Sequence, residues 1–274
     1  MWIDPLSRRL LKGAGLVPAS KGRGPVILMY HSIESEGKKP LTIWDVTAKN
    51  FKKQMRLLKE KGWKTARVSD LVHAETLPPR TVVLTLDDGY ADNFEHGFGV
   101  VFEYGMRATW FIVTQDVGKQ SSWPDPGEPV RSMLNKQQIR QMAEAGMEIA
   151  SHTRTHPRLP ELDALRMWEE VSSSKKELEE LLGRPVVSFA YPYGSFNEDC
   201  VVIVKKAGYQ VACTARPGWF GSEKDLLRIR RVPVFSHDTL SSFARKLAFA
   251  YTNVGWDRMM SYAMERIKSR LFRV

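Results

Sequence analysis

Apolar positions along this chain recur with two different periods, and the two alternate. In TAKNFKKQMRLLKEKG, Phe51, Met55 and Leu58 fall on one helical face. Thr47 stands where an N-cap belongs, and Gly62 can take the left-handed stop. A short apolar segment, WKTARV, follows. The unit returns as DNFEHGFGVVFEYG ahead of MRATWFIV, stopping at Gly105, and as NKQQIRQMAEAG ahead of MEIASH, with Asn135 as cap and Gly146 as stop. The long pattern DALRMWEEVSSSKKELEELLG ends at Gly183 and leads into VVSFAYP, and NEDCVVIVKKAG ends at Gly208 and leads into YQVACTA. Two further runs, VILMYH and TVVLTLDD, are short, apolar and rich in β-branched residues, as buried strands are.

Helices alternating with buried strands predict parallel βα units joined by right-handed crossovers. About seven strands in that alternation fit a barrel or an open doubly wound sheet, and the pattern leaves closure open. No dinucleotide glycine fingerprint or Walker loop follows the first strand, which argues against nucleotide binding. The stretch QSSWPDPGEP, from Gln120 to Pro129, predicts a loop lying over one end of the sheet. From about Ser241 the rhythm stops and a helical tail is expected.

Composition narrows the setting. The 274 residues are 43% hydrophobic and 26% charged, as in an ordinary globular protein, and no apolar run reaches bilayer length. The opening MWIDPLSRRLLKGAGLV carries Asp4, Arg8 and Arg9 where a secretory signal needs an unbroken apolar stretch. Cys200 and Cys213 show no metal or redox spacing. Together these features predict a cytoplasmic protein. The net charge of +10 gathers toward the two ends, in Arg8, Arg9, Lys12, Lys21 and Arg23 and again in Arg258, Arg266, Lys268, Arg270 and Arg273. With no zinc-finger spacing, RNP-like motif or recognition helix, nucleic acid is not the expected partner. The amphipathic ends are read either as docking on the domain or as peripheral contact with a membrane surface.

In parallel α/β folds, reacting groups gather at the carboxyl ends of the strands. Four predicted strands here end on chemistry: VILMYH in Tyr30 and His31, VVLTLDD in Asp87 and Asp88, MEIASH in His152, and VVSFAYPYG in Tyr191, Pro192, Tyr193 and Gly194. Adjacent carboxylates repel unless a cation or a shared proton intervenes. Alone, D-D-G is equally a turn whose Asp caps the next helix. Alone, H-x-x-x-H is equally two unrelated polar histidines. One carboxylate with two imidazoles, however, is an open donor set for a hydrolytic metal, with room left for water and substrate.

The blocks TLDDG (Thr85 to Gly89), HTRTH (His152 to His156) and FAYPYG (Phe189 to Gly194) resemble the polysaccharide deacetylase, or NodB-like, family. The opening LMYHSI (Leu28 to Ile33) resembles its branch of exopolysaccharide N-deacetylases. The resemblance runs from roughly Pro25 to Leu240. It implies an α/β fold, a distorted (β/α) barrel of about seven parallel strands, with helical extensions at both ends. The expected organisation is a basic amphipathic segment over 1–24, a catalytic domain over 25–240 and a helical tail over 241–274. It also implies metal-assisted removal of N-acetyl groups from the amino sugars of a polysaccharide, an oligosaccharide or a lipid-linked glycan. A deformylase acting on a small sugar conjugate and an inactive carbohydrate-binding member of the fold are the rival readings.

Carried over residue by residue, Asp87 resembles the family's general base, and Asp88, His152 and His156 its ligands for one divalent ion. Zinc suits that set, and nickel, cobalt or iron would fit it too. Tyr193 resembles the residue whose backbone N–H helps stabilise the oxyanion. Two departures follow. Ala190 stands where many members carry an arginine that orients the base, so that task falls elsewhere: Arg228, Arg230 and Arg231 are candidates, otherwise read as an exposed basic strand edge, and Arg231 is the one chosen. The family's late histidine motif is missing, so the proton for the leaving amine is assigned to His31 rather than His237. The resemblance implies a permuted order in this branch, which brings that histidine in with the first strand. An imidazole with a reference pKa of ~6.5, placed beside carboxylates, is expected to hold a proton often enough for this at neutral pH. Trp123, Trp219 and Tyr193 are either sugar-stacking surfaces or packing.

Overall fold

The structure, a computed structural model, describes residues 24–124, 128–222 and 225–253. In chain order it contains β1 (Val26–Tyr30), β2 (Ser32–Glu34), β3 (Asp45–Thr47), α1 (Ala48–Glu60), β4 (Lys64–Ala66), β5 (Thr81–Leu86), α2 (Gly99–Glu103) and β6 (Thr109–Ile112). There follow α3 (Lys136–Glu144), β7 (Glu148–Ser151), α4 (Ala164–Leu182), β8 (Ser188–Ala190), α5 (Glu198–Lys206), β9 (Val211–Cys213), β10 (Val232–Pro233) and α6 (Leu240–Phe249). Seven strands form one parallel path in the order β10, β1, β5, β6, β7, β8, β9, and β4 pairs with β5 beside it. The seam is irregular. Ile229 bridges Cys213 of β9, and three residues later Val232 pairs with Leu28 of β1. One short segment therefore joins both edges of the path into a distorted barrel.

The predicted helix signals act as such. Thr47 Oγ1 accepts from Asn50 N, and Asn135 and Gln138 form a reciprocal capping box at the start of α3. The strands are shorter than the apolar runs that announce them, because residues beyond the ladder turn out toward loops. The segment after the acidic pair differs from the expected α-helix: it begins as a π-helix over Asn93–Phe98 and becomes α only at α2. At that wide turn, Asp92 accepts from Ser32 Oγ at 2.7 Å and from Ile33 N at 3.2 Å, and Asn93 Nδ2 donates to His31 O at 2.8 Å. Cross-chain bonds to the residues after β1 thus accompany the widened geometry.

Side chains alternate between two apolar layers, as strand geometry requires. Leu28, Leu84, Trp110, Ile149 and Phe189 pack outward among the helices. Ile27, Val83, Phe111, Ala150, Ala190, Val211 and Cys213 pack on one another inside the barrel. The inward phase continues past each strand end, and it selects which residues meet at the rim. The expected boundary near 240 falls at the first residue of α6, whose Phe243 and Leu247 are buried in the outer core. Lys246, also buried, donates to Pro233 O at 2.8 Å and pairs with Asp238, tying α6 to β10. The basic segment over 1–23 and the tail beyond 253 lie outside the described residues.

Candidate metal centre and active site

β1 and β5 end in register, Tyr30 opposite Leu86, and Asp87 N donates to Tyr30 O at 2.9 Å. His31 and the acidic pair therefore emerge side by side. Asp88 leaves the strand with a left-handed backbone, φ 72°, followed by Gly89 at φ 80°. The left-handed φ of Gly89 is what calls for glycine there, and an added Cβ would also press on Ile112 Cδ1 at 3.1 Å. This turn carries the Asp88 carboxylate toward the end of β7. Its Oδ1 lies 3.5 Å from His152 Nε2 and 3.4 Å from His156 Nε2.

Those spacings test the donor set. Zinc–ligand bonds of about 2.0–2.2 Å in a tetrahedral site place ligand atoms roughly 3.3–3.6 Å apart. Asp88, His152 and His156 are all buried, and one donor atom from each falls within 4.8 Å of the others. His152 Nδ1 bonds Ala190 O at 2.8 Å, which turns Nε2 toward Asp88 in the way that outer hydrogen bonds orient metal-binding imidazoles. The residues present fit a divalent ion. Burial pushes the Asp88 carboxyl up, yet the facing imidazoles outweigh it and hold the group well below the usual carboxylate range. Burial pulls His156 below the ordinary imidazole value despite the same carboxylate.

Asp87 is held apart from that set. Arg231 reaches it from beside β10 with Nη1 at 2.6 Å from Oδ1 and Nη2 at 2.7 Å from Oδ2. The guanidinium is fixed in turn, Nη1 to Thr85 Oγ1 at 3.1 Å and Nε to Thr214 O at 2.9 Å. Burial raises the Asp87 carboxyl, and Arg231 with His152 reverses the shift, leaving it below its ordinary value. Neither other arginine candidate makes this contact. Arg228 pairs with Glu198 and Asp225 at the surface, and Arg230 Nη1 donates to Pro217 O. At the position of the missing arginine, Ala190 contributes its carbonyl to His152 instead.

His31 Nδ1 is buried without a hydrogen-bond partner, and its ring lies 4.4 Å from that of Trp44. The direction of its pKa differs from the sequence expectation. Burial lowers its pKa by more than Asp88 and Asp87 raise it, whereas the sequence shows only the carboxylates that would favour a proton there. His237 is exposed and stacks on Phe235 at 5.4 Å. Tyr193 adopts φ 57°, with its ring 4.5 Å from His156 on one side and the Arg158 guanidinium 4.0 Å from the ring centre. The Gly194 that follows is indispensable, since a Cβ there would lie 2.5 Å from Ala215 Cβ. Trp123 stands 4.9 Å from His156 and stacks on Tyr90 at 6.2 Å, which places this described residue of the predicted loop at the same end as the histidines. Trp219 packs on the outer core.

Sequence reasoning passed over Asn93, which holds the His31 carbonyl, and Glu170, which grips the histidine loop. Asn93 follows the acidic pair closely enough to have been a signal. Glu170 sits among the acids of a long helix and gave none.

The family model described as polysaccharide deacetylase matches residues 74–212. His31 and Arg231 lie outside that span, so their place in the site rests on geometry. YxkH of Bacillus subtilis (strain 168), whose name places it among the polysaccharide deacetylases, is 30% identical over 76% of this chain and 70% of its own length. The poly-β-1,6-N-acetyl-D-glucosamine N-deacetylase of Staphylococcus epidermidis is 24% identical over 77% of this chain and 74% of its own. A crystal structure of a polysaccharide deacetylase from Bacillus cereus superposes with a TM-score of 0.71 at 28% identity, covering 82% of this chain and 69% of that one. With the family model and these relatives agreeing with the barrel and its buried Asp-His-His cluster, the chain belongs to the polysaccharide deacetylase family of hydrolases.

Proposed function

We propose that this chain is a metal-dependent N-deacetylase that hydrolyses the acetamido group of an amino sugar in a glycan or a lipid-linked sugar. The observation that carries the reading is a second buried carboxylate, Asp87, clamped by Arg231 beside the Asp88, His152 and His156 cluster. A binding relic would need the cluster but not its clamped neighbour. Asp88, His152 and His156 would hold one divalent ion, with zinc the first choice and nickel, cobalt or iron compatible with the same donors. When bound, such an ion polarises an amide carbonyl and makes water more acidic.

The chain's own groups then divide the proton work. Asp87, ionised and fixed by Arg231, accepts the proton of the attacking water. As oxygen adds to the carbonyl carbon and the C–N bond breaks, acetate departs and the sugar nitrogen needs a proton. His31 supplies it from the imidazolium form, which takes its proton from solvent before the C–N bond breaks and returns to the neutral imidazole on donation. Asp87 afterwards releases the water's proton to solvent. The backbone N–H of Tyr193, whose ring packs on His156, is the group we assign to the developing oxyanion. The staphylococcal relative's substrate makes β-1,6-linked N-acetylglucosamine the first polymer to try.

The test is acetate release from N-acetylated oligosaccharides with and without chelator. Acetate that stops with chelation and returns with zinc is the expected result. Formate from N-formyl sugars with no acetate would favour the deformylase, and neither product with zinc bound would favour a binding protein.

A further inference from the structure

The loop that presents both metal histidines is in an unfavourable conformation. Thr153 and His156 lie in the left-handed region, φ 68° and 63°. For residues with side chains this conformation is costly and persists only where the surroundings over-determine it. The loop's carbonyls are held from the segment that follows β6: Thr114 N donates to Thr153 O at 3.3 Å and Gln115 N to Arg154 O at 2.9 Å. Its amides are held from elsewhere. Glu170 of α4 accepts Arg154 N at 2.9 Å and Thr155 N at 2.8 Å on one oxygen, and Thr155 Oγ1 at 2.6 Å on the other. A single half-buried carboxylate thus takes three donors from two consecutive residues, in charge-assisted bonds. His156 N is then satisfied by Thr153 Oγ1 at 3.0 Å, closing the turn.

We propose that Glu170 is a positioning residue for the metal site: it fixes His156 through the loop backbone and so sets the affinity for the ion without touching it. This rests on the deacetylase reading above and extends it to a residue beyond the donor set. The helix itself supplies a control. Glu170, Ser174 and Glu177 are spaced four and three apart on one face of α4. Ser174 meets Ser151 at 2.7 Å, and Glu177 meets the Arg154 side chain at 3.1 Å and the Thr114 hydroxyl. Glu177 therefore contacts side chains of the same neighbourhood, whereas Glu170 contacts the loop's main chain. If the backbone bonds position His156, the two acids must behave differently.

The experiment measures zinc affinity of the full chain by competition with a chromogenic chelator, in wild type, Glu170→Ala and Glu177→Ala. Glu170→Ala is expected to bind zinc about 10–100-fold more weakly, the usual consequence of losing an outer-shell partner. Glu177→Ala should stay within about threefold of wild type, since it removes no main-chain bond from the loop. At saturating zinc, kcat of Glu170→Ala should return close to wild type, a split that general loosening would not produce. Unchanged zinc affinity in Glu170→Ala, or equal weakening in Glu177→Ala, overturns the proposal while leaving the deacetylase reading intact. No saturable zinc in wild type overturns both. If Glu170→Ala does not fold, Glu170→Asp carries the test: it keeps the charge and withdraws it by one methylene, so weaker zinc supports the proposal and equal affinity overturns it.

Discussion

β7 places Glu148, Ala150 and His152 in the barrel interior at every second position, and its two ends are built to opposite ends of the chemical scale. At the start of the strand, Glu148 is buried and fully engaged by neutral donors. Its Oε2 accepts Thr109 Oγ1 at 2.7 Å and Ser69 N at 3.1 Å, and its Oε1 accepts Ser188 Oγ at 2.6 Å. Past the finish, His152 enters a cluster that is neither neutral nor satisfied. Two carboxylates share the space with three imidazoles, and Nδ1 of both His31 and His156 is buried without a partner. Of six described non-glycine residues with left-handed backbone, four lie at this end: Asp88, Thr153, His156 and Tyr193. One end completes its hydrogen bonds within the protein, while the other leaves donors and charges for something else to complete. Such local inconsistency in an otherwise consistent fold is the physical signature of a working site.

Removing members of the unsatisfied end should therefore cost chemistry rather than stability. His152→Ala is expected to lose both stoichiometric zinc and detectable turnover, with the metal-free unfolding midpoint little changed. Asp87→Asn and His31→Ala should keep zinc yet lose turnover by ~10²–10⁴, the range for a missing general base or acid, and Asp87→Asn is the exception that also loses stability, because it leaves the buried Arg231 charge uncompensated. Metal analysis beside acetate release separates the ligand variant from the other two. Zinc lost alike from His152→Ala and Asp87→Asn would mean that the carboxylates are assigned the wrong way round.

Arg231 stands between the two regimes, because it serves the base and is also a fully buried charge. Removing one partner of a buried pair costs roughly 3–5 kcal/mol, since the other is left uncompensated. Arg231→Met should accordingly lower both stability and turnover, and the double variant Arg231→Met with Asp87→Asn should recover most of the stability and none of the turnover. The pH dependence has a definite sign. The folded Asp87 carboxyl lies below its unfolded value, so the pair's contribution is complete above the ordinary carboxylate pKa of about 4 and is lost as pH falls through the lowered one. Denaturant unfolding from pH 7 to pH 2 should show an acid loss in wild type that is reduced in the double variant.

How much of this was legible in the sequence depended on the distance from residue to role. Asp87, Asp88 and His152 end apolar runs, and a strand end fixes both location and phase, while His156 was legible by its spacing of four from His152. Arg231 was chosen from three arginines without a pattern to decide it, because β10 is two residues long and too short to show which of Arg230 and Arg231 points inward. The barrel seam was hidden for the same reason. Glu170 belongs to a helix whose exposed face is acidic throughout, and nothing in WEEVSSS marks the one carboxylate that reaches a backbone. Glu148 could have been read, since an acid in phase with Ala150 and His152 in MEIASH is an inward position by simple alternation.

The smallest effect, and the sharpest check on the contrast, is expected from Glu148. Glu148→Gln keeps size and one acceptor oxygen but brings an NH2 group against hydroxyls that now donate. Thr109 and Ser188 can rotate to accept, yet Thr109 Oγ1 already accepts Val68 N at 2.9 Å, so one bond in the set is lost or reversed. A hydrogen bond to a charged group contributes about 1.5–3 kcal/mol, and rearrangement should recover part of it, leaving a loss of about 1–2 kcal/mol in denaturant stability. Ala150 and the inner apolar layer separate this cluster from the rim, and the strand rises ~13 Å over the four residues from Glu148 to His152. Zinc affinity and kcat should therefore stay within about twofold of wild type, as sites with no shared partners are additive. A stability loss with intact chemistry would keep the two ends distinct. A fall in zinc affinity as large as that of a rim variant would show the interior acting as one coupled column from Glu148 to the metal histidines.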